Sequence, residues 1–581
     1  MIEQHHLPEE QSHEQTHESG HPNKPTELLN HVGVGLILIL VFYGTLLCLG
    51  LPQKWTEMSN ETFKIEQYKD TTNYDAEDHA AHAHTGEEHV DGEHAKHRPP
   101  MYMITPFVVL LLIIAFFPLI PKTAHWWENN TRKFCVATSL GVLTLLYYYL
   151  LCDFPVHQHW PGDSVVDPSG PGGASGFGIV KAVFINAIIY EFLPFVVLLF
   201  ALFSITGGIR IESSLKATPL VNTGILALGA GIASFIGTTG AAALLIRPLL
   251  DMNRERENKV HTVIFFIFTV CNCGGVLTPL GDPPLLLGYL RGVAFGWPAM
   301  ALWDVWAFTN VTLLLLYYCM DHFLLYPAES QQYRLKKDDL TRQLFTVSGW
   351  KLNGLLLLGV VGAVACLDPG RPVPGTDWHP WFYLREAIQL GLAAISLLFS
   401  SRLIRKENVF NFFAISEVAA LFFGIFLCMQ APLQILNEEG KDLVLHAGKA
   451  TNMKEDRLFF WSTAVLSVAL DNAPTYLVFF EAARTVTPVT DAEKIEWRNR
   501  TGQLFNGVPI RGGYIDHNLL VAVTMGTILT GAVTYIANAP NFLVKSIAEQ
   551  DGVKMPSFFG FMVYSFLIIV PLMVVVTYLF L

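Results

Sequence analysis

Apolar runs of spanning length fill residues 31–51, 102–120, 134–152, 188–206, 300–326, 351–367, 384–400, 410–430 and 559–581. Each is long enough to cross the ~30 Å hydrocarbon layer as a helix. Two further segments, 261–290 and 516–548, are as apolar but broken in the middle. Two blocks, 219–250 and 457–485, carry small and polar residues at their centres and are predicted to be re-entrant hairpins. The pattern predicts an all-α polytopic membrane protein of about eleven transmembrane helices, with two re-entrant hairpins and two broken helices.

The breaks are the most informative positions. Leu277-Thr278-Pro279-Leu280-Gly281-Asp282-Pro283-Pro284 puts a carboxylate and three prolines inside an apolar segment, and Ile536-Ala537-Asn538-Ala539-Pro540-Asn541 interrupts another. Broken backbone and charge survive at membrane depth only where they are buried in protein or line a water-filled cavity, so the breaks point to an ion or substrate site.

The two halves also align in order. Glu191-Phe192-Leu193-Pro194 and Glu417-Val418-Ala419-Ala420 each open an apolar span, Ser234 to Ala241 matches Ser467 to Pro474, and Gly281-Asp282-Pro283-Pro284 matches Asn538-Ala539-Pro540-Asn541. Four segments are expected: an extra first span with its tail and loop (1–100), a first repeat (101–326), a cytoplasmic linker (327–350) and a second repeat (351–581).

Short cytoplasmic loops carry the excess of Lys and Arg. Lys122, Arg132 and Lys133 place the loop after the second span inside, and Arg254, Arg256, Lys259, Arg334, Lys336, Lys337, Arg402, Arg405 and Lys406 fall on the same side. The amino terminus is then inside, and the two repeats run in opposite directions, an inverted-topology arrangement that brings broken helices and hairpin tips together near the midplane. Segment 486–515, with Lys494, Arg498, Arg500 and Arg511, is the exception and comes out external.

Composition agrees with a membrane setting: 51% hydrophobic, 15% charged and a mean hydropathy of +0.38. The net charge of -12 lies largely in the first hundred residues and says little about partners. No nucleic-acid partner is expected; the lipid bilayer is. Histidines 5, 6, 13, 17, 21, 79, 82, 84, 89, 94 and 97 stud the amino-terminal tail and first external loop, read as solvated polar segments. The first apolar run is expected to be a retained span and not a cleaved signal peptide. All eight cysteines sit in or beside apolar segments and are expected to be small buried hydrophobes. Tyr147-Tyr148-Tyr149 and Trp126-Trp127 are expected to anchor at the interface.

The chemistry of the breaks favours a hard cation. Asp282, followed by two prolines, suits a helix N-cap, and the preceding half-helix ends in unpaired carbonyls. Those carbonyls, the Asp282 carboxylate and the Thr278 hydroxyl are hard oxygen donors beside Gly281. The hairpin tips add Thr238 and Thr239 in one half, Asp471 and Asn472 in the other. Sodium is expected at Asp471, Asn472, Thr238 and Asp282.

An intramembrane carboxylate is expensive to keep charged, so it should bind a proton or a cation in turn, which couples the two fluxes in opposite directions. Asp471 is the first candidate for that exchange and Asp282 the second, with Asp282 read chiefly as helix cap and cation ligand. Glu191 and Glu417 are candidates for gating or proton relay, or for holding the hairpins. Asn272, Asn538 and Asn541 can supply further oxygens or satisfy freed backbone. Arg247 can meet an anionic substrate or simply reach toward the interface.

Gly274 through Pro284 resembles the signature of an ion transporter superfamily that contains NhaD-type sodium/proton antiporters, arsenite permeases and sodium-coupled citrate and dicarboxylate carriers. Ser467 through Asn472 resembles its Ser-x-x-x-Asp-Asn hairpin. Thr238-Thr239-Gly240-Ala241 with Leu245-Ile246-Arg247-Pro248, and Asn472 through Tyr476, are similar to a bacterial group described as citrate transport or sodium:proton antiporter proteins. The resemblance covers residues 100–581.

It implies a multi-pass protein of the bacterial inner membrane, a mobile domain carrying hairpins and broken helices past a scaffold, and a homodimer. The only cargo and coupling species it implies are ions and a carboxylate, with no resident cofactor. The paired Ser-Asn-Thr tips of dicarboxylate carriers are absent, and Thr238-Thr239 stands where antiporters tend to carry Asp-Asn. Sodium/proton antiport therefore leads, sodium-coupled citrate uptake follows, and arsenite efflux is third. An intramembrane aspartyl protease built on Asp282 and Asp471 is the reading from another class. Pro279-Leu280-Gly281-Asp282 lacks the first glycine of its usual Gly-x-Gly-Asp motif, so no enzyme is expected.

Overall fold

The computed structural model describes residues 25–58 and 98–581, apart from 161–163, 169–172, 174, 214, 332, 334–344, 452, 491–492, 496, 499–503 and 512. Most of the histidine-rich segments, together with Arg334, Lys336, Lys337 and Arg500, lie outside the described residues. Nearly all ordered structure is helical; among the described residues the strands form three two-stranded antiparallel pairs. Five helices are long and apolar enough to cross a membrane, or up to eight if each bent pair is one span. The architecture is an all-α polytopic membrane fold.

Helices occupy every predicted segment, with four departures of physical interest. The helix expected at 188–206 runs over Gly176–Thr206 and contains a π-helical stretch, Ile185–Phe192, so Glu191 lies in its middle and not at a span start. The second span turns through 103° between Met101–Phe116 and Pro121–Trp127, where Pro121 opens a new helix. A helix at Gln430–Thr451, too polar for a spanning pattern, continues Phe413–Cys428 across a 43° bend. Pro219–Ile236 meets the length and composition of a full span, yet Gly237 reverses it directly into Thr238–Met252. Its φ of +81 is open to glycine at little cost.

Two other expectations change. Among the described cysteines only Cys271, Cys273 and Cys428 are buried; Cys48, Cys135, Cys319 and Cys366 are exposed and Cys152 is half-buried. Tyr148 is fully buried and donates its hydroxyl to Gln434 Oε1 at 2.8 Å, and Tyr147 and Trp127 are buried too, so these three are core groups while Trp126 and Tyr149 face outward.

Burial locates the centre. His261 through Thr269 in Val260–Thr269 and Leu519 through Thr530 in His517–Thr530 are buried at every position. Outer helices such as Asn130–Leu150 and Phe558–Phe580 bury only 33% of their apolar window. A helix covered all round is internal by construction, so the first arm of each broken helix forms the middle of the molecule.

Beside the start of Val260–Thr269 sits a closed charge cluster. Arg256 pairs with Asp321 at 2.5 Å and with Glu329 at 3.3 Å, all three side chains being 0% exposed. His261 Nε2 lies 3.1 Å from Asp321 Oδ1.

Candidate functional site

Four helices begin at one place. The second helix of each helix pair starts at Thr238 and Asn472, and the second arm of each broken helix starts at Pro283 and Ala539. The first arms end before the breaks, at Thr269 and Thr530. The same backbone bond closes both halves: Thr238 N–H donates to the Gly281 carbonyl at 2.8 Å, and Asn472 N–H to the Ala537 carbonyl at 3.1 Å.

This fixes a register that differs by one residue from the sequence match. Asp282 (φ −140, ψ 145) and Asn538 (φ −146, ψ 133) are the equivalent N-cap positions, and Pro284 stands opposite Pro540.

Asp282 is the hub, 1% exposed. Its Oδ1 accepts from Thr238 Oγ1 at 3.0 Å and from Asn538 Nδ2 at 3.1 Å, and its Oδ2 accepts from Asn472 Nδ2 at 3.4 Å. All three donors are neutral, and among the described residues no Lys, Arg or His nitrogen lies within 4.0 Å of the carboxylate. Although its backbone occupies the cap position, its side chain makes no capping hydrogen bond.

Asp471 does the reverse: half-buried, it accepts from the Ala473 N–H at 3.0 Å and caps its own helix. The hydrogen bonds are thus distributed opposite to the sequence reading, in which Asp282 was the cap. No hydrogen bond joins the two carboxylates among the described residues.

A second layer holds the hub. Asn272 Nδ2 donates to the Ile267 carbonyl at 2.8 Å and to Asn541 Oδ1 at 2.9 Å. Asn541 Nδ2 donates to the carbonyls of Gly531 at 2.6 Å and Thr534 at 2.9 Å. These amides take up carbonyls freed where the helices break, the demand that broken backbone imposes in an apolar interior. Asn538 Nδ2 is shared among Asp282 Oδ1, Asn272 Oδ1 and the Cys271 carbonyl, each at 3.1 Å.

Ser467 Oγ donates to Asn472 Oδ1 at 2.8 Å, fixing that amide with its nitrogen toward Asp282. In the first half Ser234 Oγ bonds the Gly274 carbonyl at 2.6 Å and receives Leu277 N–H at 3.0 Å. Thr278 donates to the Ser234 carbonyl, so its hydroxyl hydrogen is already spent on the fold.

Close backbone approach makes the network possible. A Cβ on Gly281 would collide with the Gly275 carbonyl, and one on Gly531 would lie 2.5 Å from Asn472 Nδ2 and 2.6 Å from Asn272 Oδ1.

The remaining candidates stand away from the hub. Thr239 is half-buried in the first turn after Thr238. Arg247 lies more than two turns further along that helix, about 13 Å at 1.5 Å per residue. Glu417 pairs with Lys133. Glu191 pairs with Arg291 at 2.8 Å, and Arg291 also pairs with Glu481 at 2.7 Å. Sequence reasoning singled out neither Arg291 nor Glu481. Their only signal was a charge near the end of an apolar run, which loop residues share.

The profile of a family described as "Putative citrate transport" matches residues 174–581. No curated protein matches the chain.

Proposed function

The chain belongs to this citrate-transport family, so it is a multi-pass membrane transporter, and we propose that it exchanges sodium for protons with Asp282 as the shared binding group. The observation that carries this reading is the Asp282 carboxylate: buried, at the meeting point of both halves, and held, among the described residues, by neutral donors alone. A buried carboxylate without a cationic partner is costly unless a proton or a cation neutralises it. Thr238 Oγ1 is an additional hard oxygen that suits sodium, while Asn472 and Asn538 turn their amide nitrogens to the carboxylate and hold it in place.

Binding one cargo expels the other from the same oxygens, which is sufficient for coupling. The two halves act as an inverted repeat working by alternating access, in a homodimer in the bacterial plasma membrane. The matched bonds at Thr238 and Asn472 support the repeat. Cargo ions are the only non-protein species required.

A second reading is sodium-coupled uptake of citrate. The family description favours it, as does the convergence of helix amino termini, whose positive ends attract carboxylates. Everted vesicles separate the two. Added sodium should dissipate a preformed pH gradient; sodium-driven uptake of labelled citrate with no proton flux would reject antiport.

Gly531→Ala tests whether the hub's spacing matters. The added methyl forces Asn472 and Asn272 apart, at a cost of about 1–3 kcal/mol for overpacking. The expected outcome is a raised sodium concentration for half-maximal flux, with unchanged membrane insertion.

A further inference from the structure

Arg291 lies at the far end of the short helix Pro283–Leu290, whose first end carries Asp282. Glu481 lies in the helix Asn472–Val486, whose first end carries Asn472. From Asp282 to Arg291 and from Asn472 to Glu481 is the same nine residues, about 13 Å of helix in each arm.

The arms are joined at both ends. Asn472 Nδ2 meets Asp282 Oδ2 at 3.4 Å at one end, and Arg291 Nη1 meets Glu481 Oε2 at 2.7 Å at the other. Between them Gly288 packs so closely on the Tyr476 hydroxyl that a Cβ there has no room. Two stiff arms touching midway and clasped at one end have their opening at the other end set by the clasp. Arg484 Nε donates to Glu481 Oε1 at 2.6 Å, which holds that carboxylate in place.

From this geometry we propose that Arg291 is a positioning residue for the cation site: through Glu481 it sets the separation of Asp282 and Asn472, and hence the affinity for the cargo cation. Its second partner, Glu191, belongs to Gly176–Thr206, outside the two arms. Breaking that bond leaves the clasp intact. The inference rests on the sodium reading of the Asp282 site.

The test is sodium-dependent proton flux in proteoliposomes, comparing wild type with Arg291→Ala, Glu481→Gln, Glu191→Gln and Arg291→Lys. Losing one positioned charge-assisted bond is worth roughly a factor of ten in binding. Arg291→Ala and Glu481→Gln should each raise the sodium KM about tenfold by that measure, with the maximal rate within about twofold. Arg291→Lys should recover part of the affinity, and Glu191→Gln should leave KM near wild type. The double variant Arg291→Ala with Glu481→Gln guards against simple misfolding: both changes open the same clasp, so its KM should rise no further than that of either single change.

An unchanged KM in Arg291→Ala overturns the proposal. So does a Glu191→Gln variant whose KM rises as much as that of Glu481→Gln. Wild-type protein with no sodium-dependent proton flux sinks instead the sodium reading beneath it.

Discussion

Asp282→Asn is expected to abolish sodium-dependent proton flux, lowering it by about 100-fold or more, because it removes the one charge that neutralises a cation in a low-dielectric site. The substitution keeps the shape of the side chain. Thr238 and Asn538 can still donate to the amide oxygen, so the protein should insert and fold as before. Asp471→Asn is the paired control. Asparagine caps a helix about as well as aspartate, and the hydrogen bond from Ala473 N–H at 3.0 Å can be kept. Its flux should stay within a few-fold of wild type. Proton flux in vesicles, read beside the amount of folded protein in each preparation, decides the matter. If Asp471→Asn is dead while Asp282→Asn still exchanges, the assignment of the shared carboxylate is wrong.

The second large effect concerns stability. Arg256→Ala should destabilise the fold by about 3–5 kcal/mol, the cost of leaving a buried charge without its partner. Asp321 and Glu329, both 0% exposed, lose their guanidinium. Glu329 also receives the Glu257 and Asn258 N–H groups at 3.0 Å, so the loop leading into Val260–Thr269 loosens with it. Thermal unfolding in detergent should show a clear drop in midpoint. Arg256→Ala combined with Asp321→Asn and Glu329→Gln should recover part of the loss, because no unpaired charge remains. A single mutant as stable as wild type would show that water reaches the cluster.

Arg256 also illustrates how far a charge count carries. In the sequence it was one more cation on the inner side; in the fold it is sealed against two carboxylates from a segment more than sixty residues away. Orientation rules count charges near span ends and are blind to their partners. Glu191 shows the same limit. Its repeat position suggested a span start, whereas a π-helical stretch places it mid-helix, clasped to Arg291. Hydrophobic periodicity does not register an extra residue per turn, so neither the longer helix nor the clasp was legible. The helix at Gln430–Thr451 was missed because its polar surface lacks a spanning pattern.

The sequence by itself determined the all-α polytopic class, the two helix pairs and the two breaks, because apolar length, glycine and proline act locally. It also named the hub's residues, since carboxylates, amides and hydroxyls inside apolar segments are conspicuous. Tertiary structure alone decided which of them meet. The one-residue register that makes Asp282 the counterpart of Asn538 comes from the paired backbone bonds of Thr238 and Asn472. The exchange of capping between Asp282 and Asp471 comes from which N–H each carboxylate can reach once four helix ends converge. Hydrogen bonding is directional and short in range, so its pattern is set by packing and not by composition.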